Sequence, residues 1–232
     1  MKLREFLQQL SYGELSNTKI GSSGSGEIQA DKLPVVINYI NEGLLRLYSK
    51  FPLRKRILYL ELSEWRTDYP LTYEHAYSNE ESTEEKYIFD VGHNKFEDDV
   101  LKIYDVRTSR EVHLPINNSD DPWSVYTPLY NVLQVRRPVG DHVLLVRYWA
   151  RHPKLTPDDL DAEIMLPEVL EGALRAYVAF QVHSNMNTQE AVVNAQKFQA
   201  IYEGIIQDAL ISDSIGVTES TTGFKFRKNG WV

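Results

Sequence analysis

"PEVLEGALRAYVAFQVHSNMNTQEAVVNAQKFQAIYEGIIQDAL", residues 167–210, carries the reading on which the fold turns. Leu170, Leu174, Tyr177 and Gln181 recur at steps of three and four, which predicts one face of a helix. Val192, Ala195, Phe198, Tyr202, Ile205 and Ala209 keep the same rhythm, which predicts a second. Asn187 is placed to cap the second helix, with Glu190 at the capping-box position. A join at residues 184–187 makes the pair an antiparallel hairpin.

Outward from this hairpin, "LTPDDLDAEIML" (155–166) predicts an earlier helix start, with Thr156 as cap, Pro157 in the first turn and Asp158 and Asp159 favoured by the helix dipole. Pro167 then restarts or kinks the helix. Near the other end, Leu3, Phe6, Leu7 and Leu10 mark a short amphipathic helix. Leu33, Val36 or Ile37, Ile40, Leu44 and Leu47 or Tyr48 mark one of about five turns that Pro52 stops. Between the two, "GSSGSG" (21–26) has linker composition; no lysine follows the glycines, so it is not a phosphate loop.

From Leu53 to Arg151 the period changes to two. "RILYLEL", "EKYIFDV", "DVLKIYDV", "REVHLPI", "LYNVLQV" and "HVLLVRYWA" are short β-branched and aromatic runs separated by turn residues. The expected fold is therefore α+β: a helical bundle of long antiparallel helices, interrupted by a mostly antiparallel β-insertion and followed by an extended C-terminal tail. The expected division is 1–52 with 152–212 as the helical domain, 53–151 as the insertion and 213–232 as the tail.

The chain has 232 residues, 42% of them hydrophobic, and a net charge of −8, an ordinary globular balance that argues against broad binding of duplex phosphates. With no cysteine, disulfides, thiol nucleophiles and thiolate-bound zinc are excluded. No apolar run has the length of a membrane span, and residues 1–15 lack the pattern of a signal peptide, so a soluble, unexported chain without a membrane partner is expected.

Residue patterns offer no catalytic, cofactor-binding or metal site. "SNEESTEEK" (78–86) reads as a solvated acidic loop. Asp159, Asp161 and Glu163 alternate as in a calcium loop but lack its central glycine, and helix-start acids explain them. His75, His93, His113, His142, His152 and His183 form no ligand spacing and read as packed or surface residues. Trp65, Trp123 and Trp149 support a carbohydrate- or peptide-binding β-module, and core packing explains them equally well.

The segment "TGFKFRKNGWV" (222–232) is the electrostatic exception. From Ser220 onward the charge is +3, against −11 for the preceding 219 residues, which together make −8. A nucleic-acid arm fits Phe224, Phe226 and Trp231 as stacking rings among cations. The alternation of Phe224 and Phe226 with Lys225 and Arg227 favours a strand that docks on another protein, with Lys228 adding charge and Trp231 an anchor.

"YGELSN" (12–17), "LPVVINYINEGLLRLYSKFPLRKR" (33–56), "PEVLEGALRAYVAFQVHSNM" (167–186) and "AVVNAQKFQAIYEGIIQDAL" (191–210) together resemble the head-to-tail adaptor (connector) proteins of tailed bacteriophages, particularly short-tailed ones. The resemblance covers about half of the chain and is a pattern of hydrophobic and small residues. It implies a non-enzymatic virion protein of the neck, assembled in the host cytoplasm, whose copies form a ring, dodecameric in most of the family, beneath the portal. Its implied partners are the portal, met by the C-terminal extension, and the tail or nozzle protein. DNA passes through the bore without sequence-specific binding, and the acidity of the chain suits a bore that repels phosphates. A tail-side neck or tail-completion protein is the nearest alternative.

Overall fold

A computed structural model of the protein describes residues 1–16, 18, 20, 27–90, 95–186, 188–212 and 215. These fall into two compact units, divided inside a helix: Met1–Gly43 with the described residues from Leu155 onward, and Leu44–Lys154. The described residues hold four helices, α1 (Leu3–Tyr12), α2 (Leu33–Lys50), α3 (Glu168–Ser184) and α4 (Gln189–Ile211).

α1 buries Leu3, Phe6, Leu7 and Leu10. The first N–H groups of a helix find no acceptor within it. In α1 the N–H groups of Leu3 and Arg4 donate to the carbonyls of Ala162 and Leu160, at 2.9 and 3.0 Å, and Ile164 N–H donates to the Met1 carbonyl at 2.8 Å. Residues 160–164 thus serve as the cap of α1, and α3 starts only after Pro167. The helix start expected at Thr156 is corrected accordingly: a segment whose carbonyls go to another element cannot also close helical turns.

α3 and α4 pair antiparallel. Gly172 lies against Ile205, Tyr177 against Tyr202 (ring centroids 5.4 Å) and His183 against Phe198 (5.5 Å), the two numberings running in opposite directions. The cap of α4 is Thr188, whose hydroxyl accepts from Ala191 N–H at 3.2 Å; Asn187, the expected cap, lies outside the described residues.

The expected bundle of long antiparallel helices is itself corrected. The helices have 10, 18, 17 and 23 residues, and only α3 and α4 form an extended helix pair. Gly13 ends the first, Pro52 follows the second and Pro167 delays the third, so none can lengthen into a bundle stave. The mixed α+β class is compatible with what is observed.

The second unit contains two antiparallel sheets. The larger has the order β3-β1-β8-β4-β5, formed by β1 (Lys55–Glu61), β3 (Ile88–Phe89), β4 (Val100–Thr108), β5 (His113–Leu114) and β8 (Val143–Ala150). The smaller is β2-β7-β6, with β2 (Asp68–Pro70), β6 (Val125–Leu129) and β7 (Val132–Val135). β1 and β8 alternate strictly between buried and open positions. Their inner residues, among them Leu58, Leu60, Val146 and Tyr148, share one core with Tyr69, Val125 and Leu133 of the smaller sheet.

Candidate functional site

Under the larger sheet, one buried ion cluster joins its strands at one end. Arg56, 8% exposed on β1, donates to the Asp99 carboxylate at 2.7 Å, to Glu97 at 3.3 Å and to the Lys95 carbonyl. Tyr148 on β8 donates to the other Asp99 oxygen at 2.9 Å, and Arg54 stands 3.3 Å from Asp99. Burial opposes the Arg56 charge, but the Asp99 hydrogen bond and the neighbouring Tyr148 and Glu97 raise its pKa above the ordinary guanidinium value. Burial, followed by the Asp99 charge, pushes the Tyr148 phenol well above its usual range. Every member has a partner, so this is a clamp that fixes β1, β4 and β8.

The opposite, open face of the sheet is ordered in rows across β1, β8 and β4: Lys55, Trp149 and Lys102; Ile57, Arg147 and Asp105; Tyr59, Leu145 and Arg107. Two irregularities on β4, before Lys102 and before Asp105, create these rows; they turn Ile103 and Val106 inward opposite Tyr148 and Val146. Lys102 Nζ stands 5.0 Å from the Trp149 ring and Lys55 Nζ 5.7 Å from that of Tyr104. Asp105 gathers Arg107 at 2.7 Å, His113 at 3.4 Å and Arg147 at 3.5 Å. The Arg147 Nε is buried without a hydrogen-bond partner.

On the β3 edge of the same sheet lies the acidic loop. Tyr77 N–H donates to the Ile88 carbonyl at 3.0 Å, and the Tyr77 ring stacks on Phe89 at 4.5 Å. Buried Asp90 accepts from the backbone N–H groups of Ser78 and Phe96, each at 2.9 Å, and bonds the Ser78 hydroxyl. The Asn79 side chain accepts from Glu81 N–H and Ser82 N–H, and Lys86 donates to the Glu74 and Asn79 carbonyls. Glu85 is held by Arg66 at 2.8 Å. Glu80, Glu81 and Glu84 are exposed, and no cation pairs with them among the described residues. The loop is solvated, as the sequence predicts, but its backbone is pinned.

In the helical unit the exposed side of α4 sets apolar positions among polar ones, with Lys197 and Gln207 between them. Val193, Ala200, Gly204 and Ile211, at steps of seven, four and seven, form one line along the exposed side. Val193 is 61% and Ile211 82% exposed, and a Cβ added at Gly204 would meet nothing within 4 Å. Of the face that periodicity predicts, Ala195 and Ala209 are buried and Phe198, Tyr202 and Ile205 meet α3; Val192 is exposed, and Ala191 and Ile206 are buried beside the predicted positions.

Phe224, Lys225, Phe226, Arg227, Lys228 and Trp231, named as the docking tail, lie outside the described residues, as does His93. His75 is buried, stacked on Tyr87 and bonded through Nδ1 to the Glu85 carbonyl; His152 is buried edge-on to Tyr48. His183 is buried against Phe198, and His113 and His142 are exposed. Asp161 lies 3.4 Å from Lys2, and Asp159 accepts from Asp161 N–H. Among the described residues no group of three or more His, Asp or Glu is placed to hold a metal, and no helix is long and apolar enough to cross a membrane. Core packing does not account for Trp65 or Trp123, which are 80% and 73% exposed. Trp149 is half-buried beneath Lys102. No family model matches the chain, and a search of curated proteins finds no significant match.

Proposed function

We propose that the protein is a structural subunit of the neck of a tailed bacteriophage, an adaptor whose copies form a ring between portal and tail and let DNA pass through the bore. The observation that carries this reading is α4. It meets α3 through Phe198, Tyr202 and Ile205 on one side and offers Val193, Ala200, Gly204 and Ile211 on the other. The exposed apolar side chains of Val193 and Ile211 lose burial in a monomer and recover it against a neighbouring subunit. The sequence resemblance supplies the identity of the assembly, and on this reading the protein catalyses nothing. The portal receives the basic aromatic residues 223–232 and the tail meets the β-unit. The chain's surplus of carboxylates, where it lines the bore, keeps phosphates from sticking.

Two variants test it. Val193→Glu with Ile211→Glu alters exposed positions and leaves the monomer as stable as the parent, while rings on the portal are lost. Removal of residues 223–232 leaves the monomer folded and abolishes attachment to the portal. Filled heads with bound tails assembled from either variant would contradict the proposal.

Exposed Trp65 favours one second reading. It borders a cleft of ≈ 270 Å³ where Glu61, Glu64, Glu85 and Asp141 outnumber the one cation, Lys86, a shape and charge suited to a cationic peptide side chain on a peptide-binding β-module. Binding of such a peptide by the isolated chain, with no ring on any portal, would favour it.

A further inference from the structure

The larger sheet carries opposite charges at its two edges. At the β4–β5 edge, Lys102, Arg107, Arg110 and the neighbouring Arg147 face Asp105 and Glu111, four cations against two carboxylates, for a net +2 in a chain of net charge −8. No carboxylate lies within ion-pair distance of Lys102 or Arg110 among the described residues. At the β3 edge, the pinned loop carries Glu80, Glu81, Glu84 and Glu85 against Lys86, net −3, and only Glu85 is neutralised, by Arg66. From the order β3-β1-β8-β4-β5 the edges are four strand spacings apart, about 19 Å. A loop held at Ser78, Asn79, Glu85 and Lys86 cannot cross that distance to its own sheet's basic edge.

We propose that the acidic loop of one copy docks on the basic β4–β8 face of the next, so that the β-units join head to tail. The inference rests on the ring reading above for its closure, and it names a contact separate from the α4 face. Two different patches on one subunit make a heterologous contact, which closes into a ring when the rotation per subunit divides a full turn. Apolar surface accompanies the charges on both sides: exposed Val112 at the β4–β5 turn, and the Tyr77–Phe89 stack beside the loop. Because Asp90 and Asn79 already fix the loop backbone, little ordering is left to do on contact. Exposed charges dominate, so the contact weakens with salt.

The absence of native cysteine makes the test clean. The 232-residue Glu81→Cys chain is mixed with Lys102→Cys chain under mild oxidation, alone and with portal present, beside Glu81→Cys with itself as the control pair. The Glu81→Cys and Lys102→Cys pair is expected to give a disulfide-linked dimer at low salt that fades at ~1 M salt, where the Debye length is about 3 Å; the control pair gives none. Lys102→Glu with Arg110→Glu, both exposed, is expected to remove self-association, and a chain carrying Glu80→Lys, Glu81→Lys and Glu84→Lys is expected to restore it on mixing. Equal cross-linking of the control, no cross-link in either setting, or no charge-swap rescue overturns the contact. If Lys102→Glu with Arg110→Glu still forms rings on the portal, this interface falls and the ring stands; if the parent chain forms none, the ring reading falls with it.

Discussion

Arg56 and Asp99 show how much rests on single side chains. Each is almost fully buried and each is the other's main partner, so removing one leaves the other's buried charge with only a more distant partner, Arg54 for Asp99 or Glu97 for Arg56. Arg56→Ala is expected to cost about 3–5 kcal/mol, read as a lowered denaturant midpoint, and Asp99→Ala a similar amount. Tyr48 is buried to 1% exposure, and that burial pushes its pKa up to about 12 against the lowering influence of Arg54. Tyr87 and Tyr148 are raised in the same direction, again chiefly by burial. A folded pKa above the unfolded one means that the folded state holds the proton more tightly. Stability is therefore complete below about pH 10 and falls as pH rises toward 12, on the order of 1 kcal/mol per pH unit for each such tyrosine. Tyrosinate absorbance should then appear together with loss of far-ultraviolet ellipticity; free titration of all fourteen tyrosines in a folded chain would contradict the burial.

At the scale of elements, two glycines in helices have opposite roles. A Cβ at Gly43 of α2 would lie 2.6 Å from Leu174 Cδ1 and 2.8 Å from Tyr177 Cδ1, both buried on α3. Overpacking of about 1–3 kcal/mol outweighs the gain of up to about 1 kcal/mol in helix propensity, so Gly43→Ala destabilises. Gly204→Ala meets open space and stabilises by about 1 kcal/mol. Thr188→Ala removes the α4 cap and costs about 1 kcal/mol. Thermal or denaturant midpoints of the three variants check the signs. The same scale explains what could be read in advance. α1, α2, β1 and β8 carry clean periods of 3.6 or 2, and their buried faces were legible. β4 was not: strict alternation from Lys102 would turn Val106 outward, and only the irregularity before Asp105 buries it. Residues 155–166 carry local helix-start signals, but the carbonyls of Leu160 and Ala162 are taken by α1, a long-range demand that no local pattern records. The basic face was hidden for a related reason. Lys55, Lys102, Arg107 and Arg147 are scattered in sequence and meet only through strand order.

For the whole molecule, the charge asymmetry and the two-faced α4 point the same way, toward a subunit that meets copies of itself. The acidic loop was visible as composition, while its fixed backbone follows from buried Asp90, whose partners lie on either side of β3. Association driven by such surfaces depends on concentration, salt and template, so on the proposed reading a chain that is monomeric in dilute solution would still assemble where a portal gathers the copies. The decisive measurement of the proposed role is electron microscopy of the 232-residue chain incubated with a phage portal assembly. A closed ring of this protein seated on the portal, with an axial bore wide enough for duplex DNA, is the expected result. Portals that remain bare under the same conditions, with the protein dispersed as single subunits, would contradict it.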